Sequence, residues 1–173
     1  MNMRIQLSFK AQAANKLEMI PYTGNNGLYV SMVPREDFID DIMKLAAELG
    51  ITPNREALHT TVIYSKKPAG DLRIPDPERQ VKAVITSVDS WVGHNSKTYV
   101  VFKLASEALL FMHGDYSRQG AEATFIPYVP HITLSDDIEV DAELKVRIEK
   151  MNRVLNYDPK LIYLTNERIG DLD

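Results

Sequence analysis

The sequence predicts an α+β fold of two lobes, built from duplicated strand-helix-strand units whose two antiparallel sheets flank a central cleft. Two observations carry this expectation. The order of local patterns over residues 28–64 recurs over 98–135. The recurrence also keeps its landmarks, since Tyr29-Val30 opens one unit and Tyr99-Val100 the other, with a histidine-bearing strand roughly 30 residues later in each. Two copies are too few for a solenoid, so a bilobal domain with a pseudo-twofold axis is the simpler product.

The elements follow in order. Leu28-Tyr29-Val30-Ser31-Met32-Val33 is rich in strand formers and stops at Pro34. Phe38, Ile39, Ile42, Leu45, Ala46 and Leu49 then recur at spacings of three and four up to Gly50, the pattern of an amphipathic helix with a glycine stop. A loop through Pro53 and Asn54 leads to the strand Leu58-His59-Thr60-Thr61-Val62-Ile63-Tyr64. Residues 66–80, with Lys66-Lys67-Pro68 and Pro75-Asp76-Pro77, read as the loop between lobes of about 27–80 and 81–173. The second lobe takes a strand over Val81 to Trp91, a turn at Gly93-His94-Asn95-Ser96 and a strand over Thr98 to Leu104. A helix on Leu109, Leu110, Met112, His113 and Tyr116 runs up to Gly120. A loop through Pro127 and Pro130 delivers the strand His131-Ile132-Thr133-Leu134-Ser135. Helix-like residues 141–154 and a strand near Leu161 to Thr165 complete it. Residues 1–26, with the turn signal Asn25-Asn26-Gly27, read as an extension leading into a single domain over 27–173.

Composition narrows the function classes. At 173 residues and 45% hydrophobic, the chain can fill the core of one compact domain. No run approaches the roughly 18 to 20 apolar residues of a membrane span, and Met1 to Lys10 lacks the apolar stretch of a secretory signal, so a soluble cytoplasmic protein is expected. The absence of cysteine excludes disulfides, a thiol nucleophile and thiolate metal sites. A net charge of -4 speaks against a grip on duplex DNA and for a small phosphorylated ligand.

The chemistry lies in two histidines, His59 and His131, each followed two residues later by a threonine, Thr61 and Thr133. Strand side chains alternate, so His59 and Thr61 share one face while Leu58, Thr60, Val62 and Tyr64 share the other; His131 and Thr133 share a face opposite Ile132 and Leu134. Two facing imidazoles can divide the work at a phosphodiester, one neutral as general base and one protonated as general acid. The threonine hydroxyls would donate to non-bridging oxygens as negative charge grows on them. With nine threonines in the chain, a chance threonine two positions after a histidine occurs about one time in twenty, so two such pairs at matched points of a repeat outweigh the bland reading as ordinary strand histidines. His94, in a turn, and His113, on a helix, have no partner threonine, and the Lys66-Lys67 pair reads as solvated. No H-x-x-x-H or H-E-x-x-H spacing offers a metal site.

His59-Thr60-Thr61 and His131-Ile132-Thr133 resemble the two H-x-T signatures of the 2H phosphoesterase superfamily, over about residues 27–167. That resemblance implies the bilobal, LigT-like fold and metal-free, cofactor-free chemistry on 2',3'-cyclic or 3'-5' phosphodiesters. Within the superfamily, Gly27-Leu28-Tyr29-Val30-Ser31, the stretch from Leu58 to Ser65 and the compact length are most similar to the phage anti-CBASS nucleases. Those cleave the cyclic di- and trinucleotide messengers of bacterial CBASS immunity, and hold the nucleobases with aromatic residues and a C-terminal acid. The resemblance thus implies His59, Thr61, His131 and Thr133 as catalytic, Tyr29, Trp91 and Glu167 as substrate-binding, and a cyclic oligonucleotide as partner. Each of the three binding residues also has a plainer role: strand packing for Tyr29, a core cap for Trp91, a solvated charge for Glu167. The near-symmetric pair leaves acid and base unassigned. An enzyme opening 2',3'-cyclic phosphate ends of RNA, or a nucleotide-binding sponge without chemistry, are the alternatives.

Overall fold

A computed structural model describes residues 19–21, 27–67, 71–73 and 76–170. Among them lie three helices, α1 (Glu36–Glu48), α2 (Glu107–Arg118) and α3 (Ala142–Tyr157). Strands β1 (Met19–Pro21) and β4 (Asp71–Arg73) form a small antiparallel pair of their own. The other six are β2 (Leu28–Pro34), β3 (Thr60–Ser65), β5 (Val81–Val92), β6 (Thr98–Ala105), β7 (His131–Ser135) and β8 (Lys160–Gly170). They make one antiparallel sheet that closes on itself in the order β2-β3-β7-β6-β5-β8.

The α+β class is therefore as expected, but the two separate sheets are not found. At one seam the long strands β5 and β8 pair from Val81↔Leu164 to Ile85↔Lys160, which merges the sheets. At the other seam β3 and β7 share a single ladder pair, Thr60↔Ile132. One pair closes the ring there and leaves the rest of each edge free to part around a cleft. Exchanging β2 with β6, β3 with β7 and β8 with β5 returns the same ring, so the strand order has a twofold character.

Local chemistry explains the elements. α2 and α3 start at Ser106 and Asp141, whose side chains accept from Leu109 N at 3.2 Å and Leu144 N at 2.8 Å. After α1 and α2 the chain turns through Gly50 (φ 75°) and Gly120 (φ 107°), left-handed conformations that glycine adopts without strain. The helices bury their apolar stripes: Ile39, Ile42 and Ala46 from α1, Leu109, Met112 and Tyr116 from α2, Leu144, Met151 and Leu155 from α3. They join a core that includes Met32, Phe102 and Ile132. Asn152 of α3 completes β5 like an added strand residue, accepting from Val88 N at 2.7 Å and donating to Val88 O at 3.0 Å.

Two register breaks matter for the site. Val30 pairs with Ile63 and Ser31 with Thr61, so Val62 is the extra residue of a bulge in β3. Val100 pairs with Ser135 and Val101 with Thr133, which leaves Leu134 extra in β7. Each bulge follows directly on one of the two threonines. The β3 bulge also corrects the expected alternation: Val62 and Ile63 are both buried, and Tyr64 turns to the side of Thr61.

The strand beginning at Leu28, the helices and the His131 strand fall within a few residues of their expected bounds, while the other motif strand begins at Thr60 and leaves His59 just before it. The final strand runs on to Gly170, well past the expected Thr165. Of the expected extension only residues 19–21 are described, as β1; Met1 to Lys10 and Asn25-Asn26 lie outside the described residues. Among the described residues no helix is long and apolar enough to cross a membrane.

Candidate active site

The single β3–β7 pair sets the geometry of the site. Thr60 and Ile132 face the core, each 0% exposed. Counting outward from that antiparallel pair sets His59 across from Thr133 and Thr61 across from His131, all four on the opposite face. Thr61, His131 and Thr133 line one cleft, and His59, just before β3, is joined to Thr61 through Tyr29, so the sequence-predicted four lie in one region although His59 does not itself line that cleft.

Both imidazoles are held in the same way. His59 Nδ1 lies 2.7 Å from the Ala57 carbonyl oxygen, and His131 Nδ1 lies 2.7 Å from that of Val129. A carbonyl only accepts, so each Nδ1 carries a hydrogen, and Nε2 is the nitrogen left for chemistry. Tyr29 meets His59 edge-on at 6.1 Å between ring centroids, and its hydroxyl shares a 3.2 Å hydrogen bond with Thr61 Oγ1. With Tyr29 as donor there, the Thr61 hydroxyl hydrogen is free for a ligand oxygen.

The two histidines differ in surroundings. Trp91 packs against His131 at 4.6 Å between ring centroids, with its indole N–H donating to Asp89 Oδ2 at 3.0 Å. Burial pushes the His131 pKa below its ordinary value, and the charge of the neighbouring His59 pushes the same way, against the Val129 carbonyl, which favours the charged ring.

His131, Thr61 and Thr133 open onto a cleft of about 490 Å³. Its other walls are largely aromatic, with Trp91, Tyr99, Tyr64, Phe125 and Tyr128. Among the described residues no lysine, arginine, aspartate or glutamate lines it. Such a cleft suits flat, weakly polar rings beside a phosphate more than an extended polyanion. Among the described residues no three histidine, aspartate or glutamate side chains are grouped to hold a metal.

Of the residues that the resemblance implied for substrate, Trp91 lines the cleft beside His131, Tyr29 stands beside His59 without lining it, and Glu167 does not line it. It is 4% exposed on β8, where Tyr116 Oη donates to it at 2.6 Å, Asp76 N at 3.1 Å, and Arg79 pairs with it at 3.3 Å. Its carboxylate ties β8 to α2 and to the 76–79 segment. It is also not the solvated charge of the plainer reading. Lys67 is paired with Glu122 at 2.6 Å.

His94, His113, Tyr64, Phe125 and Tyr128 line the cleft without having been singled out for it. His113 and Tyr128 stack at 4.1 Å with their rings 2° from parallel, and His94 stacks on Phe125 at 5.7 Å. The one signal available along the chain was Tyr128, an aromatic in the Pro127-Tyr128-Val129-Pro130 run just before His131.

A family model described as Anti-CBASS protein Acb1 matches residues 26–173. Curated relatives bear the same description. One, from Yersinia phage phiR1-RT, is 36% identical over 66% of this chain and 74% of its own length. Another, from Vibrio phage KVP40, is 27% identical over 70% of this chain and 80% of its own. A third, from Salmonella phage S16, is 29% identical over 66% and 74%.

Proposed function

The chain belongs to the Anti-CBASS protein Acb1 family, and from that premise we propose that it is a metal-independent phosphodiesterase of the two-histidine kind. It cleaves the 3'-5' bonds of cyclic di- and trinucleotide messengers, serving a phage against CBASS immunity in the host cytoplasm. The observation that carries the reading is the Thr60↔Ile132 bridge, which joins the two motif strands beside the cleft that Thr61, His131 and Thr133 line. The twofold strand order and the matched bulges after Thr61 and Thr133 support descent of the two halves from one duplicated unit, as in the 2H phosphoesterase superfamily.

In this reading His131 is the base. Its partly buried site favours the neutral ring, whose Nε2 accepts the proton of the attacking ribose 2'-hydroxyl or water. As the new O–P bond forms, the P–O5' bond breaks and the leaving oxygen takes a proton from Nε2 of the charged His59. Thr61 and Thr133 donate to the non-bridging oxygens, where negative charge accumulates. His59 and these two hydroxyls meet a phosphate's charge beside a cleft in which, among the described residues, no lysine or arginine takes part. Trp91 and Tyr29 offer stacking faces to the nucleobases.

The deciding experiment incubates the purified protein, with EDTA present, with 3',3'-cyclic GMP-AMP and a panel of other cyclic di- and trinucleotides. Linear products are expected, and no turnover of any would sink the proposal. Efficient opening of linear RNA ending in a 2',3'-cyclic phosphate, with cyclic messengers untouched, favours the RNA-end reading. Tight binding without product, unchanged in His59→Ala and His131→Ala, favours a sponge.

A pH dependence follows from the His131 environment. A base must be unprotonated, and a depressed pKa keeps His131 so to lower pH than usual. The acid limb of kcat/KM is therefore expected below the ordinary histidine value of 6.5. An acid limb at or above that value would assign the base to another group.

A further inference from the structure

The bulge in β3 leaves backbone groups without ladder partners, because past Thr60 no residue of β3 pairs with β7. Two side chains from elsewhere meet two of these carbonyls. Tyr128 Oη donates to the Thr61 carbonyl at 2.9 Å, and His113 Nδ1 donates to the Val62 carbonyl at 2.8 Å. The first comes from the loop before β7 and the second from α2. Their rings lie parallel at 4.1 Å, so each fixes the other's approach to the strand.

Resting on the phosphodiesterase reading, we infer that His113 and Tyr128 are positioning residues: a stacked brace that clamps the Thr61–Val62 bulge and thereby aims the Thr61 hydroxyl at the reacting phosphate. A bulge re-aims the side chain that it carries, and the direction of this one decides which way Thr61 Oγ1 points. Hydrogen bonds to the carbonyls of both bulge residues hold its two peptide planes together, which the strand's own ladder cannot do on that edge. Burial raises the Tyr128 phenol, so its hydroxyl stays a donor to the Thr61 carbonyl. Neither residue touches the reacting atoms in this scheme; both act through Thr61.

Tyr128→Phe tests this, since it removes the hydroxyl and keeps the stacked ring. Turnover of a cyclic dinucleotide is expected to fall about tenfold in kcat, with KM within about twofold and the melting temperature nearly unchanged. In a Thr61→Val background the same substitution should have almost no further effect, because the group being aimed is gone. His113→Gln, which restores a donor, should recover more activity than His113→Leu. A second readout does not depend on turnover: with threonine methyls labelled, the Thr61 three-bond couplings should move toward rotamer averaging in Tyr128→Phe while those of Thr133 stay put. Wild-type protein that turns over no cyclic oligonucleotide defeats the phosphodiesterase reading, and the methyl couplings then judge the brace alone. Unchanged Thr61 couplings, or a kcat loss of equal size with and without Thr61, would overturn the brace.

Discussion

Replacing His131 with alanine is expected to lower cyclic dinucleotide turnover about a hundredfold or more, with the fold retained. His59→Ala should lower it by a similar factor, since in the proposed mechanism the two Nε2 atoms perform the two proton transfers of one displacement. The variants separate when the leaving group is changed. A nucleoside 3'-phosphodiester with a p-nitrophenolate leaving group needs no protonation there, so on it His59→Ala should approach the wild-type rate while His131→Ala stays slow. Rescue of His131→Ala instead would exchange the two roles. The assignment rests on surroundings, because both rings hold a carbonyl through Nδ1 in the same way, and only His131 is packed under Trp91 in the cleft wall.

The second large effect concerns the threonines. Thr61→Val and Thr133→Val keep shape and β propensity but delete the donor, and each is expected to reduce kcat about ten- to a hundredfold with a smaller change in KM. A hydroxyl that strengthens its bond as charge develops acts on the transition state more than on the bound substrate. The Thr61 variant also leaves the Tyr29 hydroxyl without its 3.2 Å partner, so Tyr29→Phe in the wild type should reproduce a small part of the loss. Steady-state kinetics of the three variants on one cyclic dinucleotide checks this. A KM-only change in both valine variants would remove the threonines from transition-state stabilisation.

The two histidine-threonine pairs were readable as candidates along the chain because the strand period of two makes a histidine and a threonine two positions apart share a face. Reading the same period onward failed at Tyr64, since a bulge is an extra residue relative to a partner strand, and the partner is not visible in the strand's own sequence. Glu167 shows a similar limit. An acid near a chain end looks solvated or ligand-binding until the fold brings Tyr116 and Arg79 onto it from far along the chain. His113, set aside along the chain for want of a partner threonine, and Tyr128 show the same limit: one sits on a helix, the other in a proline-flanked loop, and their hydrogen bonds to adjacent carbonyls of β3 exist only in three dimensions.

Residue chemistry and local period are properties of short stretches, so the strand-helix-strand order, the helix stops at Gly50 and Gly120 and the candidate pairs His59-Thr61 and His131-Thr133 could be had from the chain alone. Whether two sheets stay apart or close into one ring depends on how far β5 and β8 pair and on the lone Thr60↔Ile132 bridge. Which histidine is the more desolvated depends on where Trp91 comes to rest. Those are contacts between distant segments, and only the packed molecule decides them.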